Sequence, residues 1–188
     1  AGVGTLVIVD RDVVEATNLQ RQTLFTERDA ERGIPKAEAA RLRLGQANST
    51  VRIRAFVEDI DAGTVGAVAA GCDLVLDGLD NFETRYLLND YAVANGIPYI
   101  YGAAVATEGM TMPILPRGGP GEDARIQWAD REATPCLRCL FPEPPPPGTT
   151  PTCDTAGVLG SVTAMVAAHQ VSQVIKLIVG DIAAVDRT

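Results

Sequence analysis

Residues 5–36 read TLVIVDRDVVEATNLQRQTLFTERDAERGIPK, and the fold turns on how this stretch is read. Thr5 to Val9 is a short, nearly continuous apolar run rich in β-branched residues. That is the pattern of a strand buried on both faces of a parallel sheet, and Asp10 stops it. In nucleotide-binding α/β sheets the ligand lies outside the carboxyl ends of the strands, where a carboxylate can accept hydrogen bonds from both sugar hydroxyls. Asp10 is therefore a candidate ribose ligand. Asn18, Arg21 and Lys36 follow, two of them cations, and together they form a phosphate-facing set if the chain between them folds back. Taken singly, each residue has a plainer role. An acid after a strand commonly closes a turn or caps a helix, and Arg21 and Lys36 could be ordinary solvated charges.

The combination is more specific than its parts. Asp10-x-Asp12-x-Val14, then Asn18-Leu19-x-Arg21-Gln22, then Gly33-x-Pro35-Lys36-x-Glu38-Ala39 resembles the adenylyltransferases that activate ubiquitin-like sulfur carriers. These are the molybdopterin-synthase and thiamine-biosynthesis adenylyltransferases, relatives of the ubiquitin-activating enzymes, and the resemblance runs over about residues 1–180. It implies an α/β fold, a Rossmann-like three-layer sandwich whose mixed sheet is parallel first and antiparallel later. It also implies that Thr17, Asn18, Leu19, Gln20 and Arg21 line an ATP site with Asp10 and Lys36. Asp80, with Asn81 alongside, would hold Mg2+ and the ATP phosphates, as a hard oxygen ligand suits magnesium.

The chain opens on Ala1, a few residues before a strand, and no Gly-x-Gly-x-x-Gly run follows a strand anywhere in it. Such a loop normally precedes a helix whose amino end cradles phosphate. The resemblance places the family's glycine loop just upstream of Ala1 and makes the missing first strand the central one, between the strands at Thr5 and Asp73. The expectation is a partial ATP-binding adenylyltransferase domain over residues 1–188, with 129–154 as a cysteine-bearing crossover. Such a chain is expected to fold poorly by itself and to bind ATP weakly.

A chain of 188 residues with 46% hydrophobic content suits one domain with a sizeable core. The net charge of -8 argues against nucleic acid or an anionic membrane as a partner. No apolar run is long enough to span a bilayer and no signal-peptide pattern opens the chain, so cytoplasm is the default location.

Farther along, Pro35 fits the first turn of a helix over residues 36–47, and Lys36 at its amino end opposes the helix dipole unless an anion lies close by. Val51–Phe56 alternates as a strand, Asp61–Ala70 reads as helix, and Cys72–Leu76 as a buried strand with Cys72 a small core residue. Asp80 precedes a helix from about Phe82 to Asn95, which Asp80 or Asn81 caps. Arg85 reads as a structural partner of nearby acids. Strands are expected at Ile97–Gly102 and Gly109–Leu115, joined in hairpin fashion. Pro113 puts the second at an edge or end. Arg125–Trp128 suggests one more short strand.

Residues 133–152, ATPCLRCLFPEPPPPGTTPT, are expected to form neither helix nor central strand, and the spacing of Cys136 and Cys139 lets both thiolates face one tetrahedral zinc. A thioredoxin-like redox pair is the alternative. It would need the motif to open a helix near a strand, against which stand the intervening Leu-Arg and Pro142. The resemblance implies that the other two zinc ligands lie in a second Cys-x-x-Cys beyond Thr188. Cys153 precedes an apolar helical run, where the dipole would favour its thiolate while Asp154 opposes it. Family members often carry a cysteine there, assigned a thioester or persulfide step. Thr155–Gly180 reads as a long apolar helix, broken near Gly160, that is deeply packed or at a subunit interface, with His169 a core or interface residue.

The reaction implied is adenylation of the C-terminal glycine of a ubiquitin-like sulfur carrier ending in Gly-Gly, by an enzyme that forms a homodimer. Arg21, Asp80 and Cys153 are its candidate catalytic residues. Two other readings compete, an NAD-dependent oxidoreductase and a noncatalytic scaffold for a ubiquitin-like protein. The first leaves Arg21, Lys36 and the cysteine excursion without a purpose, and the second leaves the intact ATP-contact residues without one.

Overall fold

The structure, a computed structural model, describes residues 2–117, 125–128, 133–145 and 156–186. The chain divides into two compact units, residues 1–70 and 71–188. No ladder among the described residues joins their sheets.

In the first unit β1 (Thr5–Val9) and β2 (Arg52–Phe56) run parallel, with Thr5 opposite Arg52 and Val9 opposite Phe56. Parallel strands need a long crossover, and α1 (Glu27–Glu31) and α2 (Lys36–Ala47) lie within it. Helix α2 starts where the sequence predicts because Pro35, at φ -55, is pre-set for the turn and needs no amide hydrogen there. Ala37, Ala39 and Ala40 are buried, and their small side chains let α2 lie close against the β1–β2 pair. Thr26 and Asp29 form a reciprocal cap at α1. The expected helix over 61–70 shrinks to one turn, α3 (Val65–Val68), because Gly63, Gly66 and Gly71 give little helical preference around it.

In the second unit β3 (Val75–Leu76) pairs in parallel with β4 (Tyr99–Val105), and β4 pairs antiparallel with β5 (Glu108–Ile114). The sheet is mixed as expected, and β5, which contains Pro113, is at its edge. Ala106, at φ 51, makes the tight turn between β4 and β5. Helix α4 (Phe82–Ala94) crosses from β3 to β4. A single turn, α5 (Leu137–Leu140), follows Cys136, and α6 (Gly160–Ile178) packs on β4 and β5. Two glycines permit that contact. A Cβ on Gly102 would lie 2.4 Å from Gln170 Nε2, and one on Gly109 would lie 2.6 Å from Val166 Cγ2.

Ile100, Leu115, Ile126, Trp128, Val174, Leu177 and Val185 form the hydrophobic cluster of this unit. Residues 125–128 contribute Trp128 to it without forming the expected strand. Ala156 is helical, residues 157–159 are not, and the final helix starts at Gly160, so the break falls where the sequence places it. It buries one face and exposes the other, which is apolar, so of the two readings, deep packing or a place at a subunit interface, the structure excludes only packing on every side. No helix among the described residues is long and apolar enough to cross a membrane.

Candidate active site

In the first unit the chain after β1 is stitched to the start of α2. Val14 donates its amide to Ile34 O and Lys36 donates its amide to Asp12 O, at 2.9 and 2.8 Å. This brings Asp10, Asp12 and Lys36 to one place. Asp10 Oδ1 accepts the Asp12 amide at 2.9 Å, closing a turn just past the strand. The Lys36 ammonium, buried at the first position of α2, reaches Asp12 Oδ2 at 2.9 Å. Asp12 therefore supplies the anion that this end of the helix calls for. Thr17 and Asn18 end a short 3-10 turn (Ala16–Asn18), with Leu19 and Gln20 following. Half-buried Arg21 turns one guanidinium nitrogen back toward Thr17 O at 3.4 Å.

In the second unit Asp77, Gly78, Leu79 and Asp80 connect β3 to α4. Asn81 caps that helix by accepting the Thr84 amide at 2.9 Å. The two aspartates differ completely. Asp80 is exposed, and among the described residues its hydrogen-bond partner is the Asn81 side-chain amide at 3.3 Å. Asp77 is buried and fully occupied. Its Oδ1 accepts the Leu79 amide at 2.8 Å, and its Oδ2 takes Arg85 Nε at 3.1 Å and Tyr99 OH at 2.8 Å. Burial pushes the Asp77 carboxyl above its ordinary value, opposed by the Arg85 charge and by hydrogen bonds from Leu79, Tyr99 and Gly102. Burial first, then the Asp77 charge, pushes the Tyr99 phenol far up, so it remains a donor.

An exposed monodentate carboxylate at the end of a strand is a donor set that fits Mg2+, which takes one or two carboxylates and completes its shell with phosphate oxygens and water. Asn81 uses its side-chain oxygen on the helix cap, so its part beside Asp80 is to donate to it. Arg85 is the partner of an acid, as the sequence suggests. Asp77, Tyr99 and Gln170 are not singled out there, because their mutual contacts join residues 22 and 93 positions apart.

The cysteine pair is mounted on α4. Buried Asn89 accepts the Leu137 amide at 2.9 Å, Tyr86 OH donates to Phe141 O at 2.7 Å, and Arg138 forms a two-pronged pair with Asp90 at 2.8 and 2.6 Å. Hydrogen bonding to Arg138, partly offset by burial, holds the Asp90 carboxyl below its usual range. Cys136 caps the one-turn α5, so the pair does open a helix, which ends before Pro142. The two sulfurs are 3.7 Å apart. Two thiolates on one tetrahedral zinc, with Zn–S near 2.3 Å, would be separated by about 3.8 Å. No group of three potential ligands occurs among the described residues. Cys153 lies outside the described residues. Cys72 is half-buried, and His169 is not a core residue. Its ring reaches Thr111 Oγ1 at 2.5 Å and Asp186 Oδ2 at 2.7 Å with its side chain 45% exposed.

Residues 1–187 match the model of the ThiF family. The chain belongs to that family. The ThiF-family chain is 41% identical over 181 residues to the sulfur carrier protein ThiS adenylyltransferase of Bacillus subtilis, covering 96% of this chain and 49% of that protein. It is 42% identical over 185 residues to the SAMP-activating enzyme E1 of Haloferax volcanii, covering 98% and 62%. A probable adenylyltransferase/sulfurtransferase MoeZ of Mycobacterium tuberculosis is 40% identical over 182 residues, covering 96% and 43%. The chain thus spans about half the length of the curated relatives it matches. Among solved structures, E. coli MccB with succinimide superposes at a TM-score of 0.72 with 25% identity, over 94% of this ThiF-family chain and 49% of MccB. That likeness places the chain among Rossmann-like α/β folds of the same group.

Proposed function

We propose that the protein adenylates the C-terminal glycine of a ubiquitin-like sulfur carrier at the expense of ATP. The observation that carries this reading is the exposed Asp80 beside a fully occupied Asp77, in a chain whose sequence matches sulfur-carrier adenylyltransferases along nearly its whole length. One oxygen of the carrier's terminal carboxylate attacks the α-phosphorus of ATP. A new C–O–P linkage forms, the bond to the bridging oxygen breaks, and pyrophosphate leaves. No protein base is needed, because a terminal carboxylate is ionised at neutral pH. Both reactants are anions, so the work of the protein is to hold them together and offset charge on the phosphates. Arg21 and Lys36 contact phosphates, Asp10, Asn18 and the neighbouring Thr17, Leu19 and Gln20 the nucleoside side. Asp80 holds Mg2+, which supplies charge neutralisation when bound.

In a following step the Cys153 thiolate attacks the acyl carbonyl, forming a thioester as AMP leaves, or takes sulfane sulfur from a persulfide donor whose thiolate leaves. Cys136 and Cys139 supply half of a zinc site, and their sulfur separation of 3.7 Å suits two ligands of one tetrahedral metal. Cobalt substitution checks it, since thiolate-to-cobalt absorption present in the protein and absent from Cys136→Ser is expected, and its absence from the unsubstituted protein overturns the site. A second copy of the chain covers the apolar stripe of Ala164, Ala168, Val171, Ile175 and Ile178 on α6, which recurs at three- and four-residue spacing and is exposed. Sedimentation should show a dimer that Ile175→Glu splits.

The test of the main reading is carrier-dependent exchange of labelled pyrophosphate into ATP by the intact protein. Exchange that requires a carrier with an intact terminal glycine supports it. Absence of exchange with every ubiquitin-like candidate favours a scaffold that binds without catalysing.

A further inference from the structure

The Asp77–Arg85 pair is an expensive way to stabilise a core, since two buried ions lose hydration that well-packed apolar residues would not have had to give up. Its geometry shows a more specific use. Leu79 is held at both ends by this one pair: its amide donates to Asp77 Oδ1 at 2.8 Å, and its carbonyl accepts from Arg85 Nη2. The peptide units on either side of Leu79 are thereby fixed, and the second of them leads directly into Asp80. On the far side of Asp80 the chain is fixed again, by the Asn81 cap on Thr84 at 2.9 Å.

The clamp is itself anchored to the sheet and to α6. Arg85 Nη2 also donates to Gly102 O at 3.1 Å, and Asp77 Oδ2 receives Tyr99 OH at 2.8 Å. From α6, Gln170 Nε2 donates to both Asp77 O and Ile100 O at 2.9 Å, tying the ends of β3 and β4 together. With both Asp77 oxygens filled, a metal has only the exposed carboxylate of Asp80 to engage in this turn.

We propose that Asp77, Arg85 and Gln170 are positioning residues that fix the turn before Asp80, so that its carboxylate meets a metal–nucleotide without rearrangement. This rests on the proposed role of Asp80 in the adenylation reaction. Arg85→Lys is the discriminating variant. A lysine keeps the charge that Asp77 needs, but a single ammonium cannot reproduce the fork that bonds Asp77 and two carbonyls together. A merely structural charge would therefore be rescued by lysine, and a positioning fork would not.

The experiment is titration of the intact protein with Mn2+ and ATP, read by the relaxation of water protons well below the melting temperature. Asp80→Ala and Arg85→Lys are each expected to weaken Mn–ATP binding by about tenfold or more, in line with the loss that small misplacements produce. Gln170→Met, which keeps side-chain volume but releases both carbonyls, is expected to act in the same direction more weakly. Wild-type affinity in Arg85→Lys, or in Asp80→Ala, overturns the proposal. If Mn–ATP binding follows the expected order while carrier-dependent exchange is absent, the adenylation reading fails and the clamp stands.

Discussion

Replacing Gly102 by alanine should be among the most damaging single-methyl additions in the second unit. The new Cβ would lie 2.4 Å from Gln170 Nε2 and 2.5 Å from its Cδ, well inside van der Waals contact. Gln170 ends in a flexible amide, which would ordinarily swing away. Here that amide is buried and donates to Asp77 O and Ile100 O at 2.9 Å, so moving it breaks two hydrogen bonds, although Ile100 O keeps the Asp77 amide at 3.0 Å. Overpacking of this sort costs about 1–3 kcal/mol, and each lost hydrogen bond adds about 0.5–1.5 kcal/mol. Relief of the clash and retention of the bonds exclude each other, so one cost or the other is incurred and the destabilisation is about 1–3 kcal/mol. Trp128, the single tryptophan, is buried in the same unit, so its fluorescence during urea unfolding reports the event. In the Gln170→Ala background the glycine substitution should become nearly neutral, because the clashing atoms are gone. A Gly102→Ala protein within about 0.5 kcal/mol of wild type, the range of a harmless surface change, would refute the reasoning. So would an equal loss in both backgrounds.

Asp12→Asn should destabilise the first unit by about 1 kcal/mol, a modest figure because Asp12 is 54% exposed although Lys36 is only 11% exposed. A double-mutant cycle with Lys36→Met should show coupling of that size, and additive losses would contradict the pairing. Burial works to raise the Asp29 carboxyl, but bonds from the Thr26 hydroxyl and amide and from Arg43 hold it below its ordinary value. Its contribution is therefore complete above the unfolded value near 3.9 and is lost as pH falls through the lower folded value. The stability gap between wild type and Asp29→Asn, measured by urea titration, should be flat above about pH 5 and shrink below about pH 4. A gap that widens on acidification would contradict this.

Local signals were legible and long-range ones were not. β1 and α2 follow from an apolar β-branched run and from Pro35, both of which act on their own backbone. Asn81 could be read as a cap because its partner, Thr84, is three residues away. β3 is shorter than the run from Cys72 to Leu76 implies, because among the described residues only β4 pairs with it. Nothing local in the sequence marks Asp77. Its role emerges only when Tyr99, Gly102 and Gln170 close around it, from positions 22, 25 and 93 residues away. His169 was only partly legible for the same reason. On a helix rich in valine and isoleucine it reads as core or interface, and its half-exposed ring, held by Thr111 and Asp186, excludes the first of these. Of the candidate site, the motif residues were legible by type and order, and the division of labour between Asp77 and Asp80 was not.

The central claim is that a carrier carboxylate attacks the α-phosphorus of ATP, and the most direct measurement is isotope transfer. The carrier is prepared with heavy oxygen in its terminal carboxylate, the intact protein is supplied with ATP and Mg2+, and the acyl adenylate is captured by a thiol. The AMP released should carry one heavy oxygen, and Asp80→Ala should abolish its formation. AMP formed without the label, or ADP and phosphate in its place, would contradict the account.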